Sequence, residues 1–188
     1  MHKNIKVKLY PTKNQIEMLE RHFSGYRFAY NLSLEYKQIL WRHHKINISG
    51  FYLQKELFEI RRESDWLSLC KAECIRDAGL NVDKAYKNFF KGSGYPKFKS
   101  KRGEQSFSAY QSISGKDNRL KFYGNKIKFK TSDSYNELLE THKIKQCTFK
   151  KDLCGDYWAT LLIKTESIRT LPKSENIVGI LGTVFAIL

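Results

Sequence analysis

The chain has 188 residues and a formal charge of +15, with 34 lysines and arginines against 19 aspartates and glutamates. An excess of that size opposes compaction and usually marks a protein that works against a polyanion, yet 41% apolar and 14% aromatic residues are too many for a disordered basic tail. No apolar run reaches the roughly 18 residues of a membrane span, and Met1–Lys8 alternates charge with aliphatics where a signal peptide would be apolar, so a cytoplasmic protein without membrane partners is expected.

Ile5, Val7 and Leu9 alternate with Lys6 and Lys8, a period of two that predicts a strand over residues 3–9. Tyr10-Pro11 ends it. Thr12 with Gln15 three residues on is a capping-box pattern. Ile16, Leu19 and Phe23 then follow at helical spacing as far as Gly25, which suits a helix C-terminus. A second helix is predicted from Tyr26 to about Trp41, with Phe28, Leu32, Ile39 and Leu40 toward a core. Ser49-Gly50 breaks the pattern; residues 51–62 resume it with Leu53, Leu57 and Ile60, and Arg61-Arg62 favour its C-terminal dipole. A further helix is predicted over about 66–91, weakened in the middle by Gly79.

Beyond Gly92, Gly94 and Pro96 the period becomes two. Leu120–Tyr123, a turn at Gly124-Asn125 and Lys126–Lys130 predict a hairpin. Lys143–Lys150 and Tyr157–Lys164 predict a second antiparallel pair. The expected class is α+β: a small barrel or curled sheet, with the helices inserted between its first strand and the rest. Thr165–Asn176 is polar and contains Pro172, as a linker would be, and Ile177–Leu188 is a continuous apolar run of the kind found in buried strands.

The densest basic stretch comprises Lys84, Lys87, Lys91, Lys97, Lys99, Lys101 and Arg102, without an acid among them. Tyr86, Phe89, Phe90, Tyr95 and Phe98 interleave. Basic side chains neutralise phosphates and release counterions, while flat rings can stack on exposed bases; Phe89 and Phe90 read better as core. Lys121, Lys126, Lys128 and Lys130 alternate with Phe122, Ile127 and Phe129, so one strand face is cationic and the other apolar. A basic sheet face beside a basic loop predicts a groove that follows a backbone without reading bases.

Other chemistry is sparse. The carboxylates lie singly on helices or in loops, and no Walker-type loop or nucleophile elbow occurs. His43 and His44 point to different sides of a helix and cannot chelate together. Cys70, Cys74, Cys147 and Cys154 read as reduced, buried thiols; a four-cysteine zinc site is the sharper alternative, although the spacings suit no zinc knuckle. No catalysis and no cofactor are expected.

Five stretches carry a resemblance: Lys8-Leu9-Tyr10-Pro11-Thr12 with Gln15, Tyr26–Asn31, Asp83–Phe90, Gly94–Lys101, and Gln105-Ser106-Phe107. In this order they resemble the N-terminal half of the OrfB/TnpB family of transposable elements, whose members are RNA-guided DNA endonucleases. The resemblance implies an oligonucleotide-binding-like barrel (the wedge domain) interrupted by a helical recognition domain, then a RuvC-like nuclease domain with a zinc-binding insert. On that pattern residues 1–10 are the first wedge strand and 11–91 the recognition domain, which includes the segment described in the family as a helix-turn-helix. Residues 92–168 complete the wedge, 169–176 form the linker, and 177–188 are the remnant of the first RuvC-like strand.

The family's first RuvC strand reads Val-Gly-Ile-Asp-Leu-Gly, and its Asp binds metal. Here Val178-Gly179-Ile180 runs directly into Leu181-Gly182. The expectation is therefore a nuclease-deficient protein with guide RNA and target double-stranded DNA as partners. Backbone contacts are expected from Lys84, Lys87, Lys97, Lys99, Lys101 and Arg102, with Tyr26, Arg27, Asn31, Lys121 and Lys128 as further contacts. Two alternatives stay open: the front of a split nuclease completed by a separately encoded RuvC domain, and a guide-free helix-turn-helix DNA binder on residues 12–43.

Overall fold

The predicted alternation in the first strand is present in β1 (His2–Tyr10), where Ile5, Val7 and Leu9 are buried and Lys6 is exposed. The computed structural model describes residues 2–111 and 113–165. After β1 come α1 (Lys13–His44), α2 (Gly50–Glu63), α3 (Asp65–Ser68) and α4 (Ala72–Phe89). They are followed by β2 (Gln105–Ala109), β3 (Ser114–Lys116), β4 (Arg119–Phe122), β5 (Asn125–Lys130), α5 (Asp133–Thr141), β6 (Ile144–Lys151) and β7 (Tyr157–Lys164). The linker and the apolar run expected after residue 168 lie outside the described residues.

The strands form one antiparallel sheet in the order β2-β6-β7-β1-β5-β4-β3. The class is α+β, and α1–α4 enter the chain between β1 and β2. Phe149 on β6 and Phe122 on β4 are separated by three strands, which in a flat sheet would hold them about 19 Å apart. Their ring centroids are 4.7 Å apart, and Phe107 on β2 reaches both, at 5.0 and 5.8 Å. The sheet therefore rolls around an aromatic core. It does not close into a barrel: β2 pairs with β6 alone and β3 with β4 alone.

The helical expectation needs one large correction. Gly25 does not end a helix; α1 runs unbroken through it to His44. Leu19, Phe23, Tyr26, Tyr30, Leu34 and Lys37 form a continuous buried stripe at spacings of three and four, so the packing face never changes. Phe28 and Ile39, expected in the core, fall on the other side and are 42% and 44% exposed. Gly25 has a different duty: a Cβ there would lie 2.8 Å from Cys70 Sγ and 3.0 Å from Ile75 Cδ1. The helix ends instead at Lys45, which is left-handed at φ 57° and returns its N–H to Trp41 O.

The helix expected over residues 51–62 is present as α2, but the one expected over about 66–91 is divided in two. Between α3 and α4 the chain leaves the helix, and the Arg61 guanidinium satisfies the freed carbonyls of Ser68 and Cys70 at 2.6 and 2.9 Å. Gly79 admits α2, since a Cβ there would lie 2.8 Å from Leu53 Cβ.

Both β3–β4 and β4–β5 are joined by two-residue turns with two positive φ angles, Asp117-Asn118 and Tyr123-Gly124. The second turn sits one residue earlier than expected, because Asn125 already pairs with Phe122 and its side-chain amide donates to Tyr123 O. The β6–β7 pair lies where alternation placed it. The strands β2 and β3 and the helix α5 were not anticipated.

The zinc alternative is not formed. Cys70, Cys74 and Cys147 are buried and Cys154 is exposed in the β6–β7 turn. Burial raises the thiol pKa of all three buried cysteines, that of Cys70 to about 11. Among the described residues no three of His, Cys, Asp and Glu converge to hold a metal ion, and no described helix is long and apolar enough to cross a membrane.

Candidate nucleic-acid interface

Alternation turns Leu120, Phe122, Ile127 and Phe129 into the core, and thereby turns Arg119, Lys121, Lys126, Lys128 and Lys130 out. The register then sets like charges face to face. Lys121 is opposite Lys126, Arg119 opposite both Lys128 and Lys116, and Lys8 opposite Lys130. Like charges directly opposite on one face destabilise a sheet. Lys8 alone among them is offset, by Asp156 at 2.6 Å, and that hydrogen bond raises its pKa. The other six are in no ion pair among the described residues.

Two aromatic rings continue the same surface. The Lys6 ammonium lies 4.5 Å from the Trp158 ring centroid, and exposed Tyr10 sits opposite Lys128. Lys121 and Lys128 were expected here. Lys6, Lys8, Lys116 and Arg119 share this face without having been expected as contacts; alternation marks Lys6 and Lys8 as outward residues of β1, whereas Lys116 lies on a three-residue strand that no period predicts.

The second basic surface is the segment between α4 and β2. Its exposed cations are Lys91, Lys97, Lys101 and Arg102, with Lys84 exposed on α4. Lys87 is already engaged, 2.9 Å from Asp83. Lys99 is half-buried, its ammonium 4.8 Å from the Tyr30 ring centroid, and burial lowers its pKa. Two of the six expected backbone contacts are thus occupied within the protein.

Tyr26, Arg27 and Asn31 are also occupied, and they fasten this segment to α1. Asn31 accepts from the Lys99 N–H at 2.7 Å and donates to the Lys99 carbonyl at 3.0 Å. Arg27 donates to Gln105 Oε1 at 2.7 Å, and Gln105 Nε2 donates to the Ser100 and Gly103 carbonyls at 2.8 and 2.7 Å. Tyr26 is buried beneath Lys99 and accepts from Asn81, which also donates to Asp77. Tyr110 donates to the other Asp77 oxygen at 2.9 Å, which ties α1 and α4 to the residue that follows β2. Burial pushes the Asp77 carboxyl up, and the hydrogen bonds from Tyr110 and Asn81 partly offset it.

His22 anchors the same helix to the open end of the rolled sheet. It is buried against Phe107, Phe122 and Tyr123. Its Nε2 accepts the Lys71 N–H at 3.1 Å, so the ring proton sits on Nδ1 and is donated to Met18 O at 2.8 Å. Burial lowers its pKa to about 4.

A rolled sheet with an uncompensated cationic outer face, and a basic loop clamped to a helix, are features suited to a polyanion. Residues 1–45 match a family described as a helix-turn-helix domain of OrfB proteins. Virulence protein VsdF of Salmonella dublin is 28% identical over 111 residues, which cover 53% of this chain and 93% of that protein. A Streptomyces pristinaespiralis protein provisionally named as an RNA-guided DNA endonuclease is 29% identical over 108 residues, 56% of this chain but only 27% of its own length. The N-terminal region of this chain is that of the OrfB/TnpB family. The matched segment comprises β1 and α1; the first turn between helices, residues 45–49, begins at its last residue.

Proposed function

We propose that this chain is a nuclease-deficient, TnpB-like protein that holds a guide RNA and its target double-stranded DNA on its two cationic surfaces. The observation that supports it most is the row of like-charged cross-strand pairs on β1, β5, β4 and β3, whose repulsion a bound polyanion would relieve. In this reading the rolled sheet is the wedge domain, α1–α4 are the recognition domain, and base pairing to the guide reads sequence while the protein follows the backbones. The nuclease deficiency rests on Leu181, which stands where the family pattern has its metal-binding Asp. Binding of a single-stranded RNA, measured across a salt series, tests the reading. Affinity falls steeply with salt, by a slope of about 0.7 per phosphate neutralised; a flat salt response would refute the phosphate-following surface. With magnesium and duplex DNA, no nicking is expected.

The Ile177–Leu188 apolar run favours a second reading, the front of a split endonuclease completed by a separately encoded RuvC domain. Cleavage restored by adding such a domain would select it.

A further inference from the structure

A cavity of about 550 Å³ opens between the C-terminal turns of α1 and α4 and the segment that follows α4. None of its lining residues belongs to the sheet, and five of them are aromatic. Tyr86 and Tyr95 meet edge to face at 5.8 Å with their hydroxyls 3.1 Å apart, and Phe89 packs edge-on to Tyr95 at 5.3 Å, so three rings brace one another. Beside this braced wall Phe90 is 80% exposed and Trp41 is 55% exposed. Neither large ring contributes to the core, which leaves their exposure unaccounted for by the fold.

The charge around the cavity suits an anion. Asp83 is the acid in its lining, and it is neutralised twice, by Lys37 at 3.0 Å and Lys87 at 2.9 Å. Burial opposes its ionisation, but the two lysines outweigh that and hold the carboxyl below its usual range. Arg42 and Lys45 are exposed at the rim and are in no ion pair among the described residues. Their place at the end of α1 accounts for positive charge there through the helix dipole. It does not account for the adjoining rings, with Lys45 Nζ 5.9 Å from the Trp41 ring centroid.

A flat apolar body attached to an anionic chain fits both features together. We infer that the cleft takes one unstacked base of a bound single strand, stacked against Trp41 and Phe90 with its neighbouring phosphates at Arg42 and Lys45. This rests on the nucleic-acid reading above and adds a base-contacting site to surfaces that otherwise follow only the backbone.

The test compares a single-stranded oligonucleotide with an abasic one of equal length and charge. Base stacking makes the base-bearing strand bind about tenfold tighter and quenches Trp41 fluorescence. Trp41→Leu and Phe90→Leu each bring its affinity close to that of the abasic strand, while abasic binding and thermal stability stay unchanged, since both rings lie outside the core. Equal binding of the two strands by the unaltered protein would overturn the base site and leave the polyanion reading intact. If neither strand binds, the polyanion reading falls as well.

Discussion

Asn31 grips the backbone of Lys99 from both sides, accepting its amide proton at 2.7 Å and donating to its carbonyl at 3.0 Å. One side chain thus imitates a strand partner, and it joins the middle of α1 to the basic loop 68 residues further along. Through these two bonds the residue decides where Lys97, Lys101 and Arg102 are held.

Asn31→Ala should therefore weaken RNA binding several-fold while leaving the fold in place, because it frees the loop without removing a cation. The two lost hydrogen bonds amount to about 2 kcal/mol locally. Hydrogen exchange at the Lys99 amide should rise in parallel. An Asn31→Ala protein that binds RNA unchanged would show that the loop's position is irrelevant to binding.

Lys128→Glu on β5 places a carboxylate opposite Arg119 where two cations now face each other. Stability should rise by up to about 1 kcal/mol, because repulsion becomes attraction, while affinity for RNA falls and its salt dependence flattens. Urea titration and filter binding measure the two effects separately. Stability and affinity falling together would mean that Lys128 is structural.

Stability should decline in mild acid through His22. Its folded pKa is lowered to about 4 from an ordinary value of 6.5, so the unfolded chain takes up a proton first as pH falls. The stabilisation is complete above pH 6.5 and is lost down to about 4, on the order of 3 kcal/mol in all. Protonation of Nε2 would set a second N–H against that of Lys71. Unfolding free energies measured between pH 7 and 4 check this, and His22→Gln should flatten that part of the profile.

Gly25→Ala has a sign that depends on what Gly25 does. At an unobstructed position inside a helix, alanine would gain about 1 kcal/mol. Here its Cβ would meet Cys70 Sγ at 2.8 Å and Ile75 Cδ1 at 3.0 Å, so a loss of about 1–3 kcal/mol is expected. Thermal unfolding gives the answer directly.

Strands were legible where apolar residues recur with a period of two, against a lysine face in β1 and β5 and without one in β7. β2 was not, because serines fill its alternate positions and its buried members, Gln105, Phe107 and Ala109, are chemically unlike. β3 is three residues long and α5 buries only Leu139, against Gly115. Elements that short owe their existence to their neighbours. Tyr26, Arg27 and Asn31, expected as nucleic-acid contacts, use polar groups within the protein: residue type advertises hydrogen-bonding capacity, not where that capacity is taken up.

Charge excess, aromatic content and the inward-outward alternation of lysine with aliphatics are local properties, and the sequence alone determined them, together with the expectation of a polyanionic partner. Contacts between distant segments were settled only in three dimensions. They include the roll that brings Phe149 against Phe122, the unbroken course of α1 past Gly25, and the clamp of Asn31 on Lys99. The reason is that each depends on a close approach between segments far apart in the chain, and the spacing of residues along one segment says nothing about what will lie 3 Å away from it.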